Sequence, residues 1–254
     1  MTRSIAAASV FGLLIVCLAA SVGAQRGQAG GGPRPGQLGG AVTAHYPSVF
    51  FREDFTFDKS VPNQNNEREP EHAIVQGDVK SPNLEVRLYG DKAGTRAVLQ
   101  PYNDNITYVM SLLCTSNWAI TLRDKNNDVD LSGLATIRWR TRVSGFHLLR
   151  PIVKLANGTW LIGDKTAGFS TDWVESEIQL YDVRWRNLDI GEVVEGREAV
   201  WVDKPDLSRV EEIGFTDLMR GAGHGSGGGS RIDWIQVTGN PVPRAAARTT
   251  SGGR

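Results

Sequence analysis

Arginine occupies every second position along one short stretch of the sequence. Arg138, Arg140 and Arg142 alternate with uncharged residues in the run 135–143. Because successive side chains of a β-strand point to opposite faces, this spacing predicts a strand that carries three guanidinium groups on one face. Guanidinium groups bind carboxylates and sulfates through paired hydrogen bonds. The pattern therefore predicts a binding face for an anionic glycan.

Two cations and two acids elsewhere in the sequence bear on this prediction. Arg150 and Lys154 share one face of the next predicted strand and would enlarge the cationic face if the two strands are neighbours. Glu175 and Glu177 alternate in the same way on a later predicted strand. Pairing of these glutamates with the arginines would instead give a solvated, salt-bridged face. The sequence leaves both arrangements open.

The same two glutamates also offer an enzymatic alternative. Residues two apart on a strand are separated by about 7 Å, a spacing compatible with the paired carboxylates of glycoside hydrolysis. A polysaccharide hydrolase or lyase would use Glu175 and Glu177 as acid and base. The sequence contains no signature of zinc peptidases or serine hydrolases. We therefore predict a protein without catalytic residues.

Tryptophan is the second candidate for ligand contact, because sugar rings pack on exposed aromatic faces. The chain has seven tryptophans. Trp139 and Trp234 lie between apolar residues and are predicted to be core. Trp160 follows the predicted Asn157-Gly158 turn, and Trp185 lies between two arginines, so these two are predicted to be exposed and to contact ligand.

A glycine-rich loop at residues 221–230 contains a further candidate, His224. A phosphate-binding loop would lie between a strand and a helix and end in Lys-Ser or Lys-Thr, whereas here a strand follows. We predict a mobile loop at the rim of the fold, with His224 as a possible ligand contact.

The elements that must position these residues are strands. Alternating runs at 135–143, 148–155, 159–162 and 173–180 are separated by turn residues, and one capped helical turn is predicted at 205–212. Many short strands with one or two short helical turns indicate an all-β protein, an antiparallel jelly-roll β-sandwich.

The two ends of the chain differ from its middle. Residues 1–24 have the charge, apolar run and small residues of a signal peptide, so we predict a secreted or periplasmic protein with no membrane association after cleavage. A flexible Gly/Pro-rich leader at 25–44, a sandwich domain at 45–239 and a disordered tail at 240–254 follow. The mature chain would retain one cysteine, Cys114, predicted to be buried. Lys plus Arg and Asp plus Glu each total 28, so no basic excess indicates nucleic-acid binding.

Three segments of the sequence resemble galactose-binding-like jelly rolls, in particular carbohydrate-binding modules and complex-I-intermediate-associated proteins. They are Phe-Phe-Arg-Glu-Asp-Phe at 50–55, Leu-Ser-Arg-Val-Glu-Glu-Ile-Gly-Phe at 207–215, and Ile-Asp-Trp-Ile-Gln-Val at 232–237. The chain also resembles uncharacterised secreted bacterial proteins. The resemblance implies a structural calcium where the first and last strands meet, held by Glu53 or Asp54 and by Asp233. Hydrogen bonding to backbone groups or pairing with Arg52 and Arg231 is the alternative for these acids.

We accordingly predict a monomeric, non-catalytic module that binds a polysaccharide and requires no cofactor, apart from this possible calcium. The hydrolase or lyase is one rival. A structural envelope protein that docks another protein is the other.

Overall fold

A computed structural model of the protein describes residues 46–65, 68–100, 106–111, 114–196, 198, 200–218 and 229–244. The described strands form two antiparallel sheets. The first sheet has seven strands: β1 (Val49–Glu53), β2 (Glu71–Ala73), β4 (Thr95–Gln100), β5 (Ile106–Ser111), β8 (Thr136–Ser144), β11 (Val174–Gln179) and β16 (Gly229–Thr238). The second has ten: β3 (Leu84–Gly90), β6 (Trp118–Asp124), β7 (Asn127–Asp130), β9 (Arg150–Leu155), β10 (Trp160–Gly163), β12 (Trp185–Asp189), β13 (Val194–Glu195), β14 (Trp201–Val202), β15 (Val210–Thr216) and β17 (Asn240–Pro243).

The strand order places distant segments of the chain side by side. The first sheet runs β11-β8-β16-β5-β4-β2, and β1 pairs with β16. The second runs β13-β12-β10-β9-β15-β6-β3, with β14 on β12, β7 on β15 and β17 on β7. The helical residues among those described are three 3-10 turns, Gln76–Asp78, Lys92–Gly94 and Leu180–Asp182. The molecule is an antiparallel jelly-roll β-sandwich, as predicted.

The main core lies between the two sheets and is built by alternation. In β8, Ile137, Trp139 and Val143 are fully buried, while the arginines between them are only partly buried. The indole nitrogen of Trp139 donates a hydrogen bond of 2.8 Å to Ser176 on β11. This bond satisfies the polar atom that the ring carries into the core. Trp139 is therefore core, as predicted.

The turn between β9 and β10 forms as its sequence predicts. Gly158 has a φ of +90°, a backbone conformation that glycine adopts without steric cost. The side-chain oxygen of Asn157 accepts a hydrogen bond of 2.9 Å from the backbone of Thr159. The two residues thus reverse the chain between neighbouring strands.

Two predicted boundaries are wrong. The helical turn expected at 205–212 does not form, because β15 already begins at Val210; Asp206 instead accepts a local hydrogen bond from the backbone of Ser208. Residues 240–243, assigned to the tail, form β17, and Arg244 binds Asp128 at 2.6 Å. Backbone pairing and this ion pair hold the segment against β7. The signal peptide, the leader and residues 245–254 lie outside the described residues.

The predicted five-cation surface does not form. Arg150 and Lys154 are on β9, which belongs to the second sheet, whereas the three arginines of β8 are in the first. The chain crosses from one sheet to the other between these strands. Sequence neighbours here are not sheet neighbours.

Cys114 is buried, as predicted. Within the described ranges, no helix has the length and apolar character needed to cross a membrane.

Candidate functional sites

The three arginines of β8 lie on the outer face of the first sheet, and we call Arg138, Arg140 and Arg142 the arginine face. Arg138 lies opposite Glu177 in the pairing of β8 with β11, and its guanidinium approaches Glu175 at 3.6 Å and Glu177 at 3.5 Å. The salt-bridged alternative is therefore the arrangement found at Arg138. Ion pairs this exposed contribute little to stability.

The second arginine of this face is also paired. Arg140 binds Asp233 on β16 at 2.7 Å. Burial raises the pKa of the Asp233 carboxyl, and the hydrogen bond from Arg140 offsets only part of that rise. Arg142, in contrast, packs over Trp173 with 5.3 Å between its guanidinium carbon and the ring centroid. Two of the three guanidinium groups are thus occupied by carboxylates of the chain itself.

Trp234 is buried, as predicted, but it does not belong to the core between the sheets. It lies opposite Arg140 in the register of β16 with β8, so it shares the outer face with the arginines. The guanidinium carbon of Arg52 lies 4.0 Å from its ring centroid. A bulge between Ile232 and Trp234 shifts the alternation and turns the indole outward.

The three predicted calcium ligands each have protein partners. Glu53 is fully buried and accepts hydrogen bonds from the backbone of Lys80 at 2.7 Å and Ser81 at 3.0 Å. Burial raises the pKa of Glu53, and these two bonds oppose the rise. Asp54 binds the neighbouring Arg52 at 2.7 Å, and Asp233 binds its arginine as described above. No group of three or more potential ligands occurs among the described residues. Calcium stays a prediction.

The two tryptophans predicted to contact ligand are not exposed. Trp185 is 1% exposed and lies in the core between the sheets, so its predicted role as a platform is wrong. Trp160 is 8% exposed and packs on the outer face of the second sheet against Tyr89, with ring centroids 5.1 Å apart. Strand alternation buries Trp185 because it faces inward from β12. His224 lies outside the described residues.

The arginines on either side of Trp185 stack on a different tryptophan. Arg184 immediately precedes β12, and Arg186 lies within it as the register partner of Trp201 on the adjacent strand β14. Both side chains lie on the face opposite to the Trp185 ring. The guanidinium carbons of Arg184 and Arg186 lie 4.0 and 4.1 Å from the centroid of the Trp201 ring. The two guanidinium groups thus stack on Trp201 and not on the adjacent Trp185.

Beside Trp201 lies a cavity of about 390 Å³, which we call the Trp201 groove. Tyr181, on the 3-10 turn Leu180–Asp182, lines it and is 68% exposed. Its polar lining includes Arg184, Asp203 and Lys204. An exposed aromatic ring, a partly buried indole and charges of both signs thus meet in one concave site.

Ion pairs fix the basic residues around this groove. Arg184 binds Asp164 at 3.2 Å, and Arg186 binds Glu195 at 2.6 Å. Burial alone would raise the pKa of Glu195, but hydrogen bonds from Arg150 and Arg186 outweigh it, and the pKa is lowered. The arginines that flank Trp201 are therefore held in place by carboxylates behind them.

Lys204 has a φ of +42°, a conformation that residues with a side chain seldom adopt. Such conformations cost free energy and are frequent at binding sites. No carboxylate of the described residues lies within ion-pair distance of the Lys204 ammonium group. Lys204 is one of the residues that line the groove.

Two other cavities are less suited to a polar ligand with apolar faces. One, of about 300 Å³, is lined by Phe169, Val174 and small hydroxyl residues, and no charged group lines it. The other, of about 320 Å³, is lined by Asp128 and by Arg209 and Arg244, both of which bind that aspartate. Neither combines stacking rings with available donors and acceptors.

A buried histidine, aspartate and serine lie together but lack the connectivity of a hydrolase triad. His147 Nδ1 and Asp217 are 2.7 Å apart, and the hydroxyl of Ser230 donates to the same carboxylate at 2.9 Å. In a triad the serine would bond to the histidine, which would act as its base. All three residues are buried.

Comparison with solved structures gives molecules to which this chain is similar. A family 29 carbohydrate-binding module variant complexed with cellulohexaose is 16% identical, covering 68% of this chain and 92% of its own, with a TM-score of 0.36. The family 11 module from Clostridium thermocellum, in complex with a β-1,3-1,4-mixed-linked tetrasaccharide, is 15% identical, covering 76% and 98%, with a TM-score of 0.36. Likeness at this level assigns no ligand or binding residue to the present chain.

No protein-family profile matches the sequence. No curated protein matches it either.

Proposed function

We propose that this protein is a secreted, non-catalytic carbohydrate-binding module whose ligand occupies the Trp201 groove. The observation that carries the proposal is the meeting of an exposed Tyr181 with a Trp201 clamped between two guanidinium groups. Their cavity, at about 390 Å³, lies within the range of ~300–1,000 Å³ usual for small-molecule sites. Secretion is proposed from the signal sequence in residues 1–24.

The chemistry of the groove matches that of a sugar ring. The C–H faces of a pyranose pack on aromatic rings, while its hydroxyl groups both donate and accept hydrogen bonds. Tyr181 supplies an exposed ring face, while the faces of Trp201 are stacked by arginines and only its edge is left for a ligand. Arg184 and Lys204 supply donors, and Asp203 supplies acceptors. Asp203 and Lys204 are neighbours in the lining of the groove, so their opposite charges offset each other. The groove is therefore suited to the uncharged hydroxyl groups of a neutral sugar. Acidic groups of an anionic glycan would bind elsewhere, on the arginine face.

We propose a non-catalytic role because of the surroundings of Glu175 and Glu177. Their side chains are 57% and 42% exposed, and both face the guanidinium of Arg138. An acid and a base that work together need environments that separate their pKa values. Two glutamates beside one arginine on an open strand share one environment. They are better suited to pairing with Arg138 than to hydrolysis.

Replacing Tyr181 by alanine tests the groove. We expect the Tyr181→Ala protein to fold normally, since the ring is exposed, and to bind polysaccharide about tenfold more weakly, as loss of ~1–2 kcal/mol at an aromatic anchor implies. Affinity electrophoresis in gels containing neutral soluble glucans, xylans and mannans gives the measurement. Phe169→Ala is the matched control, because Phe169 is equally exposed at 68% and lies outside the groove.

Unchanged migration of the unmodified protein in every polymer would contradict carbohydrate binding. If the Tyr181 and Phe169 variants bind polysaccharide equally weakly, the protein still binds carbohydrate, but not in the Trp201 groove. Release of reducing sugar that is abolished in Glu175→Gln would replace the proposal with the hydrolase.

A further inference from the structure

The cavity beside Asp128 is built by three neighbouring strands of the second sheet. Strand β7, which carries Asp128, pairs with β15 on one side and with β17 on the other. Arg209 directly precedes β15, and Arg244 directly follows β17. These three residues line a cavity of about 320 Å³ together with Ala156 and Glu211, and we call it the Asp128 cavity. Arginines from both flanking strands thus approach one carboxylate on the middle strand.

This one carboxylate serves two guanidinium groups. Asp128 is 4% exposed, and its Oδ1 accepts a hydrogen bond of 2.6 Å from Nε of Arg244. Its Oδ2 accepts a bond of 3.1 Å from Nη2 of Arg209. Among the described residues, no other carboxylate lies within ion-pair distance of either arginine. Two positive charges therefore share one negative charge, which leaves an excess of one positive charge on the group.

Glu211, the other acid of the lining, does not offset this excess, because other cations occupy it. Its carboxylate binds Arg123 at 3.0 Å and Lys154 at 2.9 Å. The ion-pair network to which it belongs joins three cations to three carboxylates, Arg87, Arg123 and Lys154 to Glu85, Glu211 and Glu212. That network is therefore neutral without the two arginines of the Asp128 cavity.

The two arginines also retain hydrogen-bond donors. Nη1 of Arg244 is buried and has no hydrogen-bond partner among the described residues. A buried donor without a partner costs free energy, and in a native structure such a group is often explained by a bound ion or water. Arg209 donates through Nη2 alone, to Asp128 and to the carbonyl oxygen of Pro243, and its side chain is 46% exposed. The remaining N–H groups form the planar fork that matches the oxygens of an anion.

We propose that the Asp128 cavity binds a small oxyanion, a phosphate, sulfate or carboxylate, between Arg209 and Arg244. The anion neutralises the excess positive charge and accepts hydrogen bonds from N–H groups that Asp128 leaves unused. Because Arg244 ends β17, the bound anion also stabilises the pairing of this strand with β7. No residue lines both this cavity and the Trp201 groove, and the inference does not depend on carbohydrate binding.

Calorimetric titration of the full chain with sodium phosphate, sodium sulfate and sodium acetate tests the site directly. Sodium chloride keeps the ionic strength constant, so that general screening is the same in every titration. We expect saturable binding of one anion per chain for at least one of the three. The anion that binds most tightly identifies the class of ligand. Sulfate and phosphate also stabilise proteins through exclusion from the surface, but that effect does not saturate.

Substitution of the arginines distinguishes the cavity from the rest of the surface. Arg244→Gln and Arg209→Gln should each weaken anion binding by about tenfold or more, because each removes charge-assisted hydrogen bonds. Arg52→Gln is the matched control, since Arg52 is 39% exposed and pairs with one carboxylate, that of Asp54, on the first sheet. It should change the affinity by less than about twofold, as expected for an exposed pair away from the site. If Arg244→Gln fails to fold, Arg209→Gln carries the comparison with the same expectation.

Replacing Asp128 by asparagine separates binding from a purely structural role. Asp128→Asn weakens the contacts with both arginines, but it also removes the negative charge that competes with the ligand. We therefore expect this variant to be less stable without the anion and to bind the anion more tightly than the unmodified protein. A cluster with a structural role alone would lose stability and gain no affinity.

Hydrogen exchange tests the proposed link to β17. The amide of Arg244 donates to the carbonyl oxygen of Asn126 at 3.3 Å, next to β7. At saturating anion, its exchange should become slower, because binding to the folded state suppresses local opening. Unchanged exchange at Arg244 would show that the anion does not stabilise the strand.

Two calorimetric results would overturn the inference as a whole. One is the lack of saturable binding for all three anions, and the other is equal affinity in Arg52→Gln, Arg209→Gln and Arg244→Gln. Neither bears on the Trp201 groove, because Tyr181→Ala is measured with neutral polymers. Failure of the groove likewise leaves the anion titrations unaffected.

Discussion

The Trp201 groove and the arginine face both stack arginine on tryptophan, but the groove adds an exposed aromatic ring and a cavity. On the arginine face, Arg52 covers Trp234, and carboxylates occupy Arg138 and Arg140. In the groove, arginines flank Trp201 while an exposed Tyr181 stands beside the cavity. The same composition gives a largely self-satisfied surface in one region and an open site in the other. The Trp201 groove and the arginine face differ less in residue types than in how many side-chain groups remain accessible to a ligand.

The anchoring carboxylates of the two regions also differ in electrostatics. At the groove, hydrogen bonds from two arginines lower the pKa of Glu195; on the arginine face, burial raises the pKa of Asp233 despite its arginine partner. A carboxylate with a lowered pKa favours folding above its ordinary pKa, and this contribution is lost as the pH falls through the lowered value. A carboxylate with a raised pKa instead disfavours folding once the pH is high enough to ionise it. Ionised Glu195 thus stabilises the fold at neutral pH, whereas ionisation of Asp233 carries a desolvation cost.

Among the substitutions that compare the two regions, we expect the largest loss of stability on replacement of Glu195. Glu195→Gln removes the negative partner of Arg150 and Arg186, and we expect the free energy of unfolding at pH 7 to fall by about 1–2 kcal/mol, as for a charged hydrogen bond. Because the pKa of Glu195 is lowered, the difference between the variant and the unmodified protein should disappear as the pH drops below the ordinary carboxylate range. Urea unfolding at several pH values measures both. A difference that grows in acid would contradict the role assigned to Glu195.

The smallest effect is expected on the arginine face. Glu175→Gln and Glu177→Gln together free Arg138, and we expect the free energy of unfolding to change by less than about 1 kcal/mol, since the pairs are exposed. Polyanion binding should rise slightly because one more guanidinium is available. Loss of polysaccharide binding in this double variant would show that the glutamates, and not the groove, contact the ligand.

Much of the fold was predictable because it depends on local pattern. Alternation in β8 placed Trp139 in the core and Arg138 outside it, and the Asn157-Gly158 turn placed β9 beside β10. These features depend on strand period and turn geometry within a few residues. They need no knowledge of which strands pair.

The sites were less predictable because they depend on pairing between distant strands. Arg142 of β8 and Arg231 of β16 are register partners although they are 89 positions apart in the sequence. Strand β9 follows β8 in the sequence but belongs to the other sheet. Arg184 and Arg186 stack on Trp201 because β14 pairs with β12, which no local pattern around residue 201 indicated. No local pattern marks Tyr181, on the 3-10 turn Leu180–Asp182, as an exposed ring beside Trp201. A bulge likewise moved Trp234 to the outer face.

Indole resonances test the central claim most directly. In a ¹⁵N-correlated NMR titration, each tryptophan gives one indole N–H signal. Five of these signals report on different environments at the same time: those of Trp139, Trp160, Trp173, Trp185 and Trp201. With a panel of neutral soluble oligosaccharides, the account predicts that the Trp201 indole signal shifts in a saturable way while those of the buried Trp139 and Trp185 stay fixed. Saturable shifts confined to Trp160 or Trp173, with Trp201 unchanged, would contradict it.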